Sequence, residues 1–163
     1  MLAGRRVVAA ILTCAVAVTL TSAGSATNSV TTQRIAIEES VSVDTGGSFE
    51  LIPLTKALLN HDSGTATVAA TVKPRKIIRA GLVVVPIVAV STLTSKLGTL
   101  KLSQSVFSVE LSGGYSSDRG TWKITAGTGE YAGVTGSGSF AAVGLPGGAG
   151  QVLIRQEGFI TKS

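Results

Sequence analysis

The sequence is poor in the residues that build disulfides, metal centres and aromatic binding platforms. It contains one cysteine, Cys14, one histidine, His61, one tryptophan, two tyrosines and four phenylalanines among 163 residues. A single thiol cannot form a disulfide within the chain, and one histidine without further thiolates does not make a structural zinc site. We therefore expect no metal and no cofactor, and a fold whose stability comes from its hydrophobic core.

Charge is also sparse, at 14% of residues, with a formal net charge of +5. Nucleic-acid binding usually requires clustered cations together with aromatic platforms. One group of cations stands around Pro74, and its members are Lys73, Arg75, Lys76 and Arg79. We interpret this group as a solvated turn between strands, with attraction to an anionic cell wall or lipid surface as the alternative. No nucleic-acid partner is expected.

The first residues have the pattern of a bacterial-type signal peptide. Arg5 and Arg6 precede fifteen uncharged, mostly aliphatic residues, 7–21, and small side chains follow at 23–26. A membrane anchor is the alternative, but this run is shorter than the roughly 20 apolar residues of a spanning helix. We expect cleavage after Ala26, which divides the chain into a signal peptide, 1–26, and a single domain, 27–163. The mature protein is then secreted, carries no cysteine and has no stable membrane span.

The region after residue 26 favours β-structure, because it is rich in valine, threonine, serine, isoleucine and glycine. Alternating polar and apolar residues, as at Ile35 and Ile37, predict strands separated by glycine-rich turns. A single helical turn is expected at residues 56–61. The predicted strands cover residues 30–43, 48–54, 65–72, 77–93, 98–103, 105–112, 120–126, 135–143 and 151–161. Such a pattern indicates an all-β barrel or sandwich.

Residues 77–93 form the most hydrophobic stretch of this domain. From Leu82 to Val90 there is no polar side chain, which is typical of a strand buried on both faces. We expect Pro86 to lie at an edge or bulge, because proline donates no backbone hydrogen bond. Something must cover such a surface: another subunit, a packed terminal segment or lipid. A homo-oligomer through Leu82 to Val90 is the first of these expectations.

Residues 120–140 read GTWKITAGTGEYAGVTGSGSF and predict a strand, a tight turn and a second strand. Trp122, Ile124 and Ala126 share one face and are expected to point into the core. Gly127 and Gly129 permit a reversal through positive φ, where a side chain would clash.

After this turn, Tyr131 and Val134 are expected to fold back as a hydrophobic plug. Gly136 and Gly138 then leave one face of the next strand bare, so that a neighbouring ring or a ligand could approach the backbone.

This segment resembles the strand–turn–strand signature of the allene oxide cyclase and dirigent protein group. The resemblance covers residues 120–140 and implies an antiparallel, calycin-like barrel of about eight strands with an apolar cavity, a fold that recurs in secreted bacterial proteins. The plant relatives are often trimers. The motif is architectural, and the catalytic positions of the plant enzymes have no residue-by-residue counterparts in this chain.

Three residues are candidates for chemistry or ligand binding. Glu39 shares its parity with Ile35 and Ile37, so an unbroken strand would point it inward, where burial raises a carboxylate pKa and suits it to general acid–base catalysis. A bulge at Glu38 and Glu39 is the favoured alternative, since a buried unpaired carboxylate is costly. Trp122 and Tyr131 could stack on a ligand, but we expect them to be core anchors.

His61 is expected in a surface turn beside Asn60 and Asp62, without a nucleophile near it.

These observations leave two function classes open. The first is a non-enzymatic exported barrel that binds a small apolar ligand or a surface partner, which the scarcity of ionisable residues supports. The second is a cofactor-independent cyclase or isomerase of the allene oxide cyclase type, with Glu39 as its candidate residue.

Overall fold

The structure is a computed structural model and describes residues 31–56, 58–74, 77–79, 82–147 and 150–162. The expected signal peptide, 1–26, lies outside the described residues, as do Arg75 and Lys76 of the basic group. The described residues contain nine strands and two short 3₁₀ turns. The strands are β1 (Thr32–Ser42), β2 (Gly46–Pro53), β3 (Asp62–Val72), β4 (Ile77–Arg79), β5 (Leu82–Ser95), β6 (Gly98–Glu110), β7 (Ser116–Gly127), β8 (Val134–Gly144) and β9 (Gln151–Lys162).

Eight of these strands close into an antiparallel barrel, and β4 is an additional short strand on β5. Sequence neighbours pair around the barrel, β1 pairs with β9, and β3 pairs with β5. Tracing the cross-strand partners of Ser40 around the barrel leads to Thr94 of β5 in one direction and to Val84 of β5 in the other. These two end points are ten residues apart, which is the stagger of the strands around the closed barrel. A barrel of eight strands has an interior just wide enough to be filled by side chains or to hold one small ligand. The predicted antiparallel barrel of about eight strands is confirmed.

The barrel forms because successive side chains of each strand point alternately inward and outward. On β1 the odd-numbered residues from Ile35 to Val41 are buried, and on β6 the even-numbered ones from Leu100 to Val106 are buried. The resulting core draws on all eight barrel strands. Its largest apolar members are Ile35, Ile37, Leu51, Leu93, Leu100, Leu102, Trp122, Tyr131 and Ile160. No helix within the described ranges is long and apolar enough to cross a membrane.

The predicted division of residues 98–112 into two strands and the predicted helical turn at 56–61 were wrong. Residues 98–103 and 105–112 were expected as separate strands, but β6 runs without a break from Gly98 to Glu110 because Gln104, between them, is itself an inward residue. The expected helical turn at 56–61 is absent from the described residues there. The turn is absent because Gln33 binds the backbone there. Its Oε1 accepts from the backbone N–H of Leu58 and of Leu59, the second at 2.8 Å.

The segment expected as one strand at residues 77–93 is divided between β4 and β5, which are consecutive strands of a hairpin. The register of β3 and β4 on β5 shifts by two residues across the break between them. Pro86 lies opposite this break: its carbonyl accepts from the backbone N–H of Lys73 at 2.8 Å, and its nitrogen, on the same side, has no hydrogen to donate. The expectation that Pro86 lies at an irregular position is confirmed.

The 120–140 segment forms the end of β7, a 3₁₀ turn at Gly129–Tyr131 and β8. Tyr131 and Val134 are buried, as predicted, and Gly129 has a φ of 61°. Ala126 is exposed, contrary to prediction, because the register between β6 and β7 shifts beside Lys101.

Trp122 pairs with Gly138, and its ring reaches the carbonyl oxygen of Glu157 on the next strand, as expected for a ring beside a bare strand face. A Cβ atom at Gly138 would stand 2.0 Å from the carbonyl oxygen of Glu157 and 2.6 Å from the Cα of Gly158, so the backbone of β9 is the close neighbour.

Candidate functional site

The centre of the barrel holds a polar layer within the apolar core, and Glu39 is its carboxylate. β1 pairs regularly with both neighbours at Glu38 and Glu39, so the bulge that we favoured there is absent. The strand alternation therefore points Glu39 inward, where it is 3% exposed, while Glu38 faces outward. The preference for a bulge was wrong because it assumed an unpaired carboxylate, and Glu39 has partners on two other strands.

Glu39 belongs to a closed ring of hydrogen bonds. Its Oε2 accepts from the Ser91 hydroxyl at 3.0 Å, and its Oε1 accepts from Gln156 Nε2 at 2.5 Å. Gln104 Nε2 donates to Ser91 Oγ at 2.9 Å and lies 3.5 Å from Gln156 Oε1, which completes the ring. All four side chains are buried. Such a fully connected network stabilises one arrangement of a core, since each buried polar group has a partner.

Burial raises the pKa of Glu39 from 4.5 to about 7. Removal from water is the largest cause, because it penalises the charged form. The hydrogen bonds from Ser91 and Gln156 act in the opposite direction, since they favour the carboxylate. Glu39 therefore gains or loses its proton near neutral pH, which is the range in which a general acid or base is most effective.

Glu39 lies among packed core side chains, and it is also one of the residues that line a groove of about 830 Å³ in the barrel wall. Three fully buried residues, Gln33, Gln104 and Gln156, point inward alongside the large aliphatic side chains of the core. The lining is thus not uniformly apolar, contrary to the expectation of an apolar cavity. The sequence signal for these residues is the parity of their strands, since Gln104 has the same parity as the inward residues Leu102 and Val106.

Trp122 and Tyr131 lie in the core as anchors, and each has a polar partner. Trp122 Nε1 donates to the carbonyl oxygen of Glu157 at 3.3 Å, and the Tyr131 hydroxyl donates to Oδ2 of Asp62. Burial and the neighbouring carboxylate raise the pKa of Tyr131 above its ordinary range. Such contacts are typical of buried aromatic side chains that anchor a core.

His61 lies on the surface at the start of β3, as predicted. Its Nε2 is 2.6 Å from Oε1 of Glu50, and both side chains are about half exposed. Within the described chain, no group of three or more histidine, cysteine or acidic residues is placed to hold a metal ion. The hydrogen bonds of Glu39, Trp122, Tyr131 and His61 described above go to other residues; that of Tyr131 goes to Asp62, the neighbour of His61.

The described cavities lie along the outside of the barrel or at its ends. A groove of about 830 Å³ crosses β8, β9, β1 and β2, and most of its lining residues have outward parity, including Glu38, Ser40 and Arg155. The Arg155 guanidinium bonds to Glu38 and, at 2.7 Å, to Glu157 beside this groove. A second cavity of about 500 Å³ opens at one end of the barrel between Val43, Tyr115 and Leu145.

The other candidate surface is the ribbon, which we define as residues 67–72 of β3 with β4 and residues 82–90 of β5. Pairing between β2 and β3 ends at Ala66, so the ribbon continues beyond the β1–β2 hairpin with no described strand on that side. Lys73 N bonds to Pro86 O, which places the odd-numbered amides of β3 toward β5 and the even-numbered ones toward the open edge. The ribbon thus has a strand edge without a partner among the described residues.

Both faces of the ribbon carry exposed apolar side chains. Val88 and Val90 face outward, next to Phe107 of β6, while Val72 and Val83 have the parity of the inner face. This surface was predicted from the sequence as a strand that needs covering, and the single chain leaves it uncovered. The ribbon is therefore the described region most suited to contact with another molecule.

No family model, curated protein or solved structure matches this chain.

Proposed function

We propose that this chain is an exported, non-enzymatic binding protein that contacts a surface partner through the ribbon. The observation that carries the proposal is the exposure of apolar side chains on both ribbon faces, with Ile78 76% exposed on the inner face and Val90 39% exposed on the outer one. Monomeric soluble proteins rarely leave a contiguous apolar surface of this kind uncovered unless it binds something. The signal-peptide pattern of residues 1–26 supports export.

Two other binding partners fall within the same proposal. They are a second copy of the chain, bound through Leu82 to Val90, and a small apolar ligand. Self-association is supported by the open edge of β3, since antiparallel edges can pair with one another. A small ligand has less support, because core side chains pack around Glu39 and most residues that line the 830 Å³ groove have outward parity. The resemblance of residues 120–140 to the allene oxide cyclase and dirigent group favours the ligand, through the cavity that it implies.

The proposal is tested by binding of the purified mature chain to bacterial cell-envelope fractions. Val83→Asp should abolish retention, whereas Val143→Asp should preserve it, because Val143 is 44% exposed on β8, outside the ribbon. Equal retention of the two variants would exclude the ribbon as the contact surface. Native mass spectrometry of the same preparation separates the other occupants: a dimer or trimer indicates a second copy, and an added small mass indicates a retained ligand.

A cyclase or isomerase with Glu39 as general acid or base is the alternative function. Its support is the pKa of about 7 and the burial of this carboxylate. Against it stands the engagement of both carboxylate oxygens by Ser91 and Gln156. Turnover of a candidate substrate that disappears in Glu39→Gln while binding persists would favour the enzyme, and turnover that survives Glu39→Gln would remove its named residue.

A further inference from the structure

The end of the ribbon farthest from the barrel is its most exposed apolar part. Ile78 is 76%, Val72 59%, Leu82 50% and Val83 45% exposed. Val72, Ile78 and Val83 share the inner face by register, and Leu82 lies on the outer one. We call these four residues the ribbon tip. β1 and β2 end at the turn of residues 43–45, so neither of them continues alongside the tip.

The stretch of chain that joins the residues of this tip is basic. Between Val72 and Leu82 there are four lysine and arginine residues and no aspartate or glutamate. Lys73, at the end of β3, is exposed beside the tip. A second copy docked tip to tip would bring two such cationic stretches together, which costs free energy. An anionic surface would instead be attracted to both the cations and the apolar side chains.

We propose that the ribbon tip docks on an anionic lipid bilayer. This inference rests on the proposed function, because it names the partner of the same ribbon. The apolar side chains of the tip enter the interface between headgroups and acyl chains, and Lys73 stays at the level of the anionic headgroups. The combination follows the general rule that stable interfacial binding takes apolar insertion together with basic residues.

The open edge of β3 limits how deeply the ribbon enters. The amides of Val68, Ala70 and Val72 point away from β5, and the hydrocarbon core offers no hydrogen-bond partners to them. The tip therefore docks at the surface without crossing the bilayer, and the barrel remains in water.

The test is co-sedimentation of the purified chain with vesicles of phosphatidylcholine, with or without phosphatidylglycerol. We expect binding to the anionic vesicles that is about tenfold or more stronger than to the neutral ones and that weakens as salt is added. Val83→Asp should lower binding to anionic vesicles about tenfold, and Val143→Asp should leave it within about twofold, since an added negative charge is common to both variants.

A second measurement keeps the proposal testable if Val83→Asp fails to fold. The chain from residue 27 onward has no cysteine, so Ile78→Cys and Val143→Cys each provide a single labelling site. An environment-sensitive fluorophore at position 78 should shift to the blue with anionic vesicles, and one at position 143 should not. No shift at position 78, or equal shifts at both, would overturn the lipid proposal.

The outcomes also distinguish this inference from the function that it rests on. If envelope retention depends on Val83 but vesicles do not bind, the lipid proposal fails and the ribbon has a protein or cell-wall partner. If sedimentation equilibrium shows a dimer that Val83→Asp dissociates, and vesicles again fail, the partner is a second copy. If neither envelope nor vesicles distinguish Val83→Asp from Val143→Asp, both proposals fall.

Discussion

At the scale of single residues, Glu39 makes stability depend on pH. The folded barrel holds the Glu39 proton up to a pKa of about 7, whereas the unfolded chain releases it near 4.5. The folded state therefore binds more protons over this range, and stability falls as the pH rises through it, by about 3 kcal/mol in total. Below a pH of 4.5 Glu39 costs the folded state no stability, and above a pH of about 7 the whole loss of stability is present.

Glu39→Gln should remove that dependence, because a neutral amide keeps an acceptor in the ring without a buried charge. Urea unfolding at about pH 5 and about pH 8 measures the difference in unfolding free energy, which should be large in the wild type and small in the variant. Glu110→Gln alters an exposed carboxylate and serves as the control. Equal pH dependence in Glu39→Gln and the wild type would contradict the assignment.

Tyr131 is the second residue whose role is open to measurement. Tyr131→Phe removes the donor to Asp62 and leaves the buried ring in place, so we expect the free energy of unfolding to fall by about 1–3 kcal/mol. Tyr115→Phe makes the same chemical change at a side chain that is 44% exposed, and it should have little effect. Similar losses in the two variants, measured by urea unfolding, would show that the contact with Asp62 contributes nothing.

At the scale of the elements, the close approach of β8 and β9 depends on Gly138. Gly138→Ala would place a methyl group against the β9 backbone, which cannot move without opening the sheet, and should cost about 1–3 kcal/mol. Gly144→Ala is the matched change in the same strand. Its nearest obstacle is the Ser116 hydroxyl, 2.4 Å away, which can rotate aside. Thermal unfolding of both proteins should rank Gly138→Ala lower, and the reverse order would refute the packing argument.

The strands could be predicted from the sequence largely because alternation is a local signal. β1, for example, begins and ends within two residues of its expected limits. What could not be predicted depends on distant partners. The parity of Glu39 indicates an inward carboxylate, but Ser91 and Gln156, which make that position tolerable, lie 52 and 117 residues away. Likewise, the helical expectation at 56–61 failed because its amides bond to Gln33.

At the scale of the whole molecule, the ribbon has one property that a local sequence pattern predicts and one that only distant strand pairing determines. A hydrophobic run from Leu82 to Val90 indicates that two faces need covering, and this is a local property. Its position beyond the barrel rim follows from where β2 stops pairing with β3, at Ala66, which no local pattern specifies. The ribbon is exposed because barrel closure leaves it outside, whereas the polar layer is buried because closure surrounds it.

Closure also brings the two ends of the domain together, which a circular permutant can test. Thr32 of β1 pairs with Thr161 of β9, so a short glycine-rich linker can join the termini without strain. A permutant opened in the turn at residues 43–45 keeps every strand whole, and we expect wild-type circular dichroism and cooperative urea unfolding. A permutant opened between Ile37 and Glu38 divides β1, which pairs along its length with β9, and we expect it not to fold. If both permutants fold equally well, the barrel does not require an unbroken β1.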